Sequence, residues 1–243
     1  MQTMILGDGP MGWAIAAAAG ERCDRVSVVG RPSGGRHDAL IFNGIDLVVD
    51  ASRGEAVVPN LAAALDGGVR RFVIATTGWT SARDEVDATL RAHDASAVVA
   101  ANFSLGVALF GRLVEVATEL FGTVDGFDPY LVEWHRRAKA DRPSGTALDL
   151  ARRIADHHPA VGDTSALETV SIRAGSSPGM HLVGFDAAGE TVELRITARD
   201  RNAYASGVLA AADWLQRTPR TPGIHGFDPV VDELLVRQPA VAA

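Results

Sequence analysis

Along the first hundred residues, short apolar runs alternate with longer segments whose apolar positions have helical spacing. The apolar runs are 3–6, 25–29, 45–49, 71–75 and 97–101, and the helix-like segments between them are 14–19, 57–65 and 81–93. The runs lack polar alternation, which is typical of strands buried on both faces. A β-then-α rhythm of this kind predicts a parallel sheet covered by helices on both faces, which is an α/β, Rossmann-type domain.

The pattern changes after Asn102. A long apolar helix is predicted at 105–121, a strand at 130–133, and a helix at 144–158 that Ser144 or Thr146 caps. Three β-like runs then follow, at 168–173, 181–185 and 191–197, before a last helix at 203–215. Because consecutive strands favour an antiparallel or mixed sheet, we expect a second, smaller α+β domain over 103–205, after a first domain over 1–102.

Composition and charge narrow the classes of function. The 243-residue chain has a formal net charge of −7, which argues against a nucleic-acid partner. Its one cysteine, Cys23, cannot form an intrachain disulfide, so we expect a reducing compartment and a small buried side chain. No apolar run reaches the roughly 18 residues of a membrane span, and the chain opens without a signal-peptide pattern. We therefore expect a cytoplasmic protein without a membrane partner.

A glycine motif follows the first predicted strand. Gly7, Gly9 and Gly12 match G-x-G-x-x-G, with Pro10 and Met11 before the last glycine and an Ala-rich helix afterwards. Glycines allow the tight turn and the close approach of the backbone to a pyrophosphate, which the helix N-terminus attracts. The motif predicts dinucleotide binding, and a purely structural glycine turn is its alternative.

The residues after the second strand bear on which dinucleotide binds. NAD sites usually carry an acid at the end of that strand, where it binds the ribose hydroxyls. Here Gly30 and Arg31 occupy that position, with Arg36 close behind. We predict that NADPH is preferred over NADH, because Arg31 can meet the 2′-phosphate. A solvated surface arginine is the alternative.

Two further loops lie at the carboxyl ends of predicted strands, where open α/β sheets bind ligands. They contribute small, hydroxylic and basic residues: Ser52, Arg53, Thr76, Thr77 and Gly78. Such residues can pack beside a ribose or a nicotinamide ring, although each loop alone is also an ordinary strand-to-helix turn. We predict that both loops extend the cofactor site.

The segment from His135 to Arg142 is basic within an acidic chain. It carries His135, Arg136, Arg137, Lys139 and Arg142 against one acid, Asp141. The predicted helix begins directly afterwards with Ser144, Gly145 and Thr146, whose N–H groups add to the positive potential. The combination predicts a site for a carboxylate-bearing small molecule, and a solvated basic loop is the alternative. The seven histidines are scattered along the chain, so no metal site is predicted.

Residues 133–147 read E-W-H-R-R-A-K-A-D-R-P-S-G-T-A. This segment resembles the signature of the dihydrodipicolinate reductase family, also called 4-hydroxy-tetrahydrodipicolinate reductase, which is close to E-x-H-H-x-x-K-x-D-x-P-S-G-T-A. Other segments agree with the family in order: 7–12, 50–55, 76–78, 101–107, 173–175, His181 and 201–207. The resemblance spans nearly the whole chain.

The resemblance implies an NAD(P)H-dependent enzyme that reduces 4-hydroxy-tetrahydrodipicolinate to tetrahydrodipicolinate in lysine and diaminopimelate biosynthesis. It implies that His135 is the acid that protonates the reduced substrate and that Lys139 is its cationic partner. The residues implied to bind a small-molecule dicarboxylate are Arg136, Lys139, Ser144, Gly145 and Thr146. Those implied to complete the cofactor site are Ala101, Asn102, Phe103 and Arg201.

The resemblance also bears on domain organisation. It implies a hinge at Asn102 and Phe103, whose closure brings nicotinamide and substrate together. The C-terminal segment 206–243 would pack back on the dinucleotide-binding domain of residues 1–102. Residues 103–205 would form a substrate-binding and oligomerisation domain, and its strands between 168 and 197 would build a homotetramer.

Some positions depart from the family pattern. Arg136 replaces the second histidine of the signature, Trp134 replaces a small residue and Arg142 replaces an alanine. Pro10 and Ala75 depart from the pattern of two glycine-containing loops. We expect Trp134, Arg136 and Arg142 to alter the pocket around the acid. Two alternatives stay open: a reductase of this family that acts on another cyclic imine or conjugated carboxylate, and a non-catalytic dinucleotide-binding regulatory protein.

Overall fold

The computed structural model describes residues 1–22 and 25–236, so the prediction for Cys23 lies outside the described residues. The chain divides into two compact units. The first unit comprises Met1–Leu105 together with the chain from Arg201 onward, and the second comprises Gly106–Asp200. Among the described residues, no helix has both the length and the apolar character needed to cross a membrane.

The strands and helices are numbered along the chain. The strands are β1 (Gln2–Leu6), β2 (Arg25–Val29), β3 (Leu47–Asp50), β4 (Arg71–Ile74), β5 (Ser96–Val99), β6 (Asp128–His135), β7 (Glu168–Arg173), β8 (Met180–Ala187), β9 (Glu190–Thr197) and β10 (Gly223–His225). The helices are α1 (Pro10–Glu21), α2 (Val57–Asp66), α3 (Arg83–Ala92), α4 (Leu105–Gly122), α5 (Gly145–His157), α6 (Asn202–Arg217) and α7 (Asp228–Val236). Every strand and helix predicted from the sequence is present, with ends shifted by a few residues.

The first unit contains a six-stranded parallel sheet with the order β10-β5-β4-β3-β1-β2. β3 and β4 are fully buried except for Arg71, as expected for strands that helices cover on both faces. The strand order reverses at β1, which lies between β2 and β3, and open α/β sheets bind ligands beyond the carboxyl ends of such strands. The predicted Rossmann-type sheet is therefore confirmed.

The sequence pattern does not predict the sixth strand of this sheet, and the helix predicted as the last one at 203–215 is followed by a further helix, α7. β10 has three residues in a stretch that also contains Pro219 and Pro222, and helix α7 follows it. The strand forms because its backbone pairs with β5, in register from Gly223 opposite Ser96. A three-residue strand carries too little periodicity to be recognised without its partner.

The second unit contains a four-stranded mixed sheet with the order β7-β6-β8-β9. β6 runs parallel to β7 and antiparallel to β8, which confirms the predicted mixed sheet. Helices α4 and α5 cover one face, where Phe110 and Ile154 pack with Leu131, Val183 and Phe185. Side chains alternate along β6, so that odd-numbered residues from Leu131 to His135 are buried on the helix-covered face.

Candidate active site and dinucleotide cavity

The glycine loop between β1 and α1 is shaped by close backbone contacts. Gly7 has φ +115°, and a Cβ there would lie 2.4 Å from the carbonyl oxygen of Ala51. A Cβ on Gly12 would lie 1.9 Å from the carbonyl oxygen of Gly7, whereas one on Gly9 would meet nothing within 4 Å. Pro10 begins α1 and Met11 follows it, so the helix N-terminus opens directly beside Gly9. The loop thus leaves backbone-lined open space where a pyrophosphate can approach.

A cavity of about 360 Å³ lies beside this loop. Among its lining residues are Gly7, Gly9, Arg31, Ser52 and Arg53, which were all predicted to contact the cofactor. Arg31 is exposed at its rim, but Arg36 is turned to Asp66, with 2.7 Å between guanidinium nitrogen and carboxylate oxygen. His37 also lines the cavity; burial lowers its pKa, and the Asp50 carboxylate opposes that shift.

Two of the predicted hydroxyl groups are engaged by Asp50 at the end of β3. Its Oδ1 accepts hydrogen bonds from the Ser52 and Thr76 hydroxyls, at 2.6 and 2.5 Å, and its Oδ2 accepts one from Asn60 at 2.9 Å. Ser52 and Thr76 therefore tie the β3 and β4 loops together around a buried carboxylate. Thr77 and Gly78 are exposed. A Cβ on Gly54 would lie only 2.4 Å from the carbonyl oxygen of Gly78, so the two loops approach each other closely there.

The remaining residues predicted to bind the cofactor lie where the chain leaves the first unit and where it re-enters it. Ala101 and Arg201 are exposed, and Arg201 is the residue that precedes α6. The Asn102 side chain accepts a hydrogen bond from the Ser104 N–H at 2.8 Å. Phe103 is buried against Phe227, with 5.1 Å between ring centroids. Phe103 is thus a core residue that anchors this segment in the first unit.

In the second unit, β6 carries the Glu133-Trp134-His135 part of the signature. Glu133 and His135 are buried on the helix-covered face, whereas Trp134 is exposed on the opposite face, where its Nε1 donates to the Ala174 carbonyl at 2.9 Å. The expectation that Trp134 alters the pocket around His135 is therefore wrong, because consecutive residues of a strand point to opposite faces. Arg136 and Arg142 are exposed in the following turn.

Glu133 is the centre of a buried polar cluster. Its Oε1 accepts hydrogen bonds from the Ser144 N–H at 3.0 Å, the Ser171 hydroxyl at 2.6 Å and the Arg173 guanidinium at 2.8 Å. Burial raises the pKa of Glu133, but these hydrogen bonds outweigh it and hold the pKa at about 2. The carboxylate is therefore charged at neutral pH and is balanced by Arg173, which is also buried.

Two histidines face the other oxygen of this carboxylate. Glu133 Oε2 lies 3.1 Å from His135 Nδ1 and 3.8 Å from His181 Nε2. Burial lowers the pKa of His135, and the Glu133 carboxylate opposes that shift. Burial, with His135 nearby, lowers the pKa of His181 to about 4, so His181 is neutral at pH 7. A charged carboxylate beside Nδ1 favours a proton on that nitrogen and directs the chemistry of His135 to Nε2.

Glu133, His135 and His181 offer ligand atoms within 4.8 Å of one another, which is also close enough for a metal ion. Their spacing along the sequence could not show this, because the strand pairing of β6 with β8 places Glu133 opposite His181. The Arg173 guanidinium, 2.8 Å from the carboxylate, already supplies the positive charge that a metal would supply. The prediction that no metal site is present stays a prediction.

The turn after β6 carries Lys139. Its ammonium lies 2.8 Å from the Asp141 carboxylate, and its side chain is only 26% exposed. Burial raises the pKa of Asp141, but Lys139 outweighs this effect and lowers it. The turn is held in place because the Arg137 N–H donates to the Gly175 carbonyl at 3.1 Å and Arg173 donates to the carbonyl of Asp141. Lys139 is thus a positioned cation next to the His135 cluster.

The N-terminus of α5 follows this turn. Ser144 caps the helix, since its hydroxyl accepts a hydrogen bond from the Ala147 N–H at 3.2 Å and lies 3.2 Å from His181 Nε2. The donors of Ser144 were expected to face a bound anion, but its N–H donates to Glu133 and its side chain is buried. Gly145 is exposed and Thr146 is half-buried, so these two residues lie nearer to solvent than Ser144.

A glycine-lined crevice at the carboxyl edge of a parallel sheet, and a second unit with a buried carboxylate–histidine cluster beside a basic turn, are features of a dinucleotide-dependent oxidoreductase. The chain belongs to the dihydrodipicolinate reductase family. The family model of the N-terminus matches residues 1–103, and that of the C-terminus matches residues 106–231. The protein is accordingly a nicotinamide-dinucleotide-dependent reductase.

Individual relatives agree with this assignment. The chain is 36% identical over 201 residues to the 4-hydroxy-tetrahydrodipicolinate reductase of Campylobacter fetus, covering 76% of this chain and 77% of the relative. It is 34% identical over 197 residues to the reductase of the same name from Archaeoglobus fulgidus, covering 75% and 74%. Dipicolinate-bound dihydrodipicolinate reductase from Paenisporosarcina sp. TG-14 has the same fold, with a TM-score of 0.73, 19% identity, and coverage of 93% of this chain and 97% of that one.

Proposed function

We propose that this protein reduces 4-hydroxy-tetrahydrodipicolinate to tetrahydrodipicolinate with NADPH, in the biosynthesis of diaminopimelate and lysine. The observation that carries the proposal is the buried Glu133–Arg173 pair, whose carboxylate lies 3.1 Å from His135 Nδ1 on β6, just before the turn that carries Lys139. A proton donor, His135, and a cation, Lys139, are thereby positioned by a rigid strand and the turn that follows it. The use of a reduced dinucleotide and of a biosynthetic substrate favours a cytoplasmic enzyme.

The cavity beside the glycine loop fits a dinucleotide. Open space at Gly9, the start of α1 at Pro10 and the left-handed conformation of Gly7 together suit a pyrophosphate. Arg31 would meet a 2′-phosphate, which favours NADPH over NADH, and the loops at Ser52, Arg53, Thr76, Thr77 and Gly78 would complete the site. When bound, the dinucleotide supplies a hydride.

The substrate side is a carboxylate site. Lys139 and Arg136 supply positive charge, and Gly145 and Thr146 lie at the N-terminus of α5, where backbone N–H groups favour an anion. Ser144 contributes by capping α5 and by holding Glu133, so its role is to position the site. A dicarboxylate suits this arrangement, and a family relative of known structure is described as dipicolinate-bound.

The 4-hydroxyl of the substrate leaves as water, hydride adds to the resulting unsaturated ring, and His135 serves as the acid that protonates the carbanion so formed. The proton leaves from Nε2, and Glu133 stabilises the charged imidazole through Nδ1. Burial lowers the pKa of His135 below its usual 6.5, so the protonated form becomes less abundant as pH rises through neutrality. We therefore expect kcat/KM to fall with increasing pH over this range, and the His135→Gln variant to lose this dependence.

The test is a spectrophotometric assay of NADPH oxidation with the substrate generated in place by the preceding synthase reaction. Turnover is expected to require that substrate. Lys139→Met should lower kcat/KM by about a thousandfold, because a cation that stabilises the transition state is lost. Arg152→Met is the matched control, because Arg152 is an exposed cation on α5, 64% exposed, away from the turn. Its activity should equal that of the unmodified protein.

Two outcomes would contradict the proposal. Turnover of a different cyclic imine, with none of the named substrate, would favour the family reductase of altered specificity, to which the exposed Arg136 and Arg142 could contribute. Tight NADPH binding without turnover on any cyclic imine would favour a regulatory dinucleotide-binding protein. Growth of a diaminopimelate auxotroph that carries this chain separates the first outcome from the proposal.

We further propose that the protein assembles as a homotetramer through the open face of the second sheet. Three strands place apolar residues opposite one another on this face, since Val132 pairs with both Val170 and Leu182, and Trp134 pairs with Ile172. Val170 and Ile172 are 42% and 40% exposed. An apolar sheet face left open to water is a typical surface for association.

A further inference from the structure

The end of β2 lacks the acid that usually binds the adenosine ribose of NAD, and Gly30 stands directly after that strand. The structure brings a different carboxylate to this place. A Cβ built on Gly30 would lie 2.7 Å from Oδ2 of Asp8 and 3.0 Å from its Cγ. Asp8 is the variable residue between the first two glycines of the loop, so the Asp8 side chain occupies the space that a side chain at position 30 would enter.

The arrangement is held by the backbone. The Gly7 N–H donates to the Val29 carbonyl at 2.8 Å, which fixes the glycine loop against the last residue of β2. Asp8 and Arg31 both line the same cavity, and Asp8 is exposed there. Within residues 1–22 and 25–236, no hydrogen bond or ion pair engages the Asp8 carboxylate. Its oxygens are therefore available to a ligand in the cavity.

We propose that Asp8 replaces the missing strand-end acid and determines cofactor selectivity together with Arg31. Asp8 accepts hydrogen bonds from the ribose hydroxyls of NADH and repels the 2′-phosphate of NADPH, whereas Arg31 attracts that phosphate. The preference for NADPH is then limited by Asp8, and NADH remains a usable second cofactor. This inference rests on the proposed dinucleotide site, and it adds a residue that opposes Arg31.

The test measures binding without turnover. Isothermal titration calorimetry would compare ADP-ribose with its 2′-phosphorylated form for the unmodified protein, Asp8→Asn and Asp84→Asn. Asp84 is a matched control, because it is an exposed aspartate of α3 in the same unit and does not line the cavity. Asp8→Asn should weaken ADP-ribose binding about tenfold, since a charged acceptor is lost, and should leave binding of the 2′-phosphate equal or tighter. Asp84→Asn should change neither.

A second pair of variants moves the acid back to the strand. Asp8→Ala removes the carboxylate, and the double variant Asp8→Ala with Gly30→Glu should recover most of the lost ADP-ribose affinity, because the vacated space accepts the new side chain. Gly30→Ala alone should displace Asp8 and weaken ADP-ribose binding in the same direction as Asp8→Asn. Circular dichroism on each variant checks that the fold is kept.

The outcomes separate the two proposals. If the unmodified protein binds neither form of ADP-ribose, the dinucleotide site itself is wrong and this inference fails with it. If the unmodified protein binds both forms, an equal loss for both forms in Asp8→Asn, or no loss for either, would overturn only the role of Asp8. A ratio of affinities that shifts about tenfold toward the 2′-phosphate would establish it.

Discussion

At the scale of single residues, the distribution of cations singles out Lys139. The sequence holds 23 basic residues of which 22 are arginines, and Lys139 is the one lysine. A chain that uses arginine everywhere else keeps an ammonium at this position, where the group is only 26% exposed and lies next to Asp141. An ammonium is a compact charge that can approach one atom closely, whereas a guanidinium is a planar fork that requires more space. The presence of a single lysine among 23 basic residues therefore points to position 139 independently of the motif around it.

We therefore expect Lys139→Arg to retain substrate binding but to lose catalysis. The charge is conserved, so KM should change by less than about threefold, while kcat should fall by about a hundredfold, because the fork cannot occupy the position of the ammonium. Steady-state kinetics with varied substrate would separate the two constants. Unchanged kcat in Lys139→Arg would show that charge alone matters at this position.

A second prediction at this scale concerns stability in acid. Hydrogen bonds hold the pKa of Glu133 at about 2 in the folded protein, against an ordinary value of 4.5. A depressed carboxyl pKa stabilises the folded protein above pH 4.5, and this stabilisation is lost as pH falls toward 2. For Glu133 the lost free energy of unfolding is about 3 kcal/mol. Urea unfolding between pH 3 and 6 should show a smaller decline of unfolding free energy in Glu133→Gln than in the unmodified protein.

The Glu133→Gln variant should also be less stable at neutral pH, because it leaves the buried Arg173 without its counter-charge. The slope with pH, not the absolute value, carries the prediction. Parallel pH profiles for the two proteins would show that other carboxylates account for acid unfolding.

At the scale of elements, the glycine loop separates a folding role from a binding role. Gly12 allows α1 to start against the carbonyl of Gly7, whereas Gly9 has open space at its Cβ position. The two glycines belong to one sequence motif, yet their surroundings differ because one faces the packed β1–α1 junction and the other faces the cavity.

We expect Gly12→Ala to destabilise the protein by about 3 kcal/mol, because the added methyl overlaps backbone that the sheet holds in place. Gly9→Ala should leave the melting temperature nearly unchanged but weaken NADPH binding, since its methyl enters the open space. Thermal unfolding and NADPH titration on both variants check this. Equal melting temperatures for the two variants would contradict the packing argument.

At the scale of the whole molecule, the second sheet is covered by α4 and α5 on one face and carries apolar residues on the other. In β7, the exposed residues on this face are Glu168, Val170 and Ile172, of which the last two are apolar. A sheet that buries one face within its own unit needs polar residues on the other unless a further surface covers it.

Ile172→Glu is therefore expected to reduce the assembly to smaller species, because it puts a charge within the apolar part of the open face. Size-exclusion chromatography with light scattering would measure the molar mass. Leu40→Glu is the matched control, since Leu40 is 79% exposed in the first unit and should leave the mass unchanged. A monomeric unmodified protein, or a tetramer that tolerates the Ile172 change, would exclude this face as the interface.

Much of the architecture could be predicted from local pattern. The apolar runs of β1 to β5 and the helical segments between them already predict a parallel sheet, and the order of motifs predicts the family. β10 was missed, since its three residues acquire strand geometry through pairing with β5. The expectation for Trp134 is wrong, because neighbouring residues of a strand face opposite sides, so Trp134 points away from His135.

Hydrophobic periodicity and short motifs act over neighbouring residues, so the order of amino acids alone was enough to predict the two sheet-containing units, the glycine loop and the segment that carries His135 and Lys139. Which side chains of the site contact one another follows from packing in three dimensions. Strand pairing places His181 opposite Glu133, and the bond from Gly7 to Val29 places Asp8 against Gly30. Such contacts join residues far apart in the chain, and their geometry follows from the register and packing of whole strands.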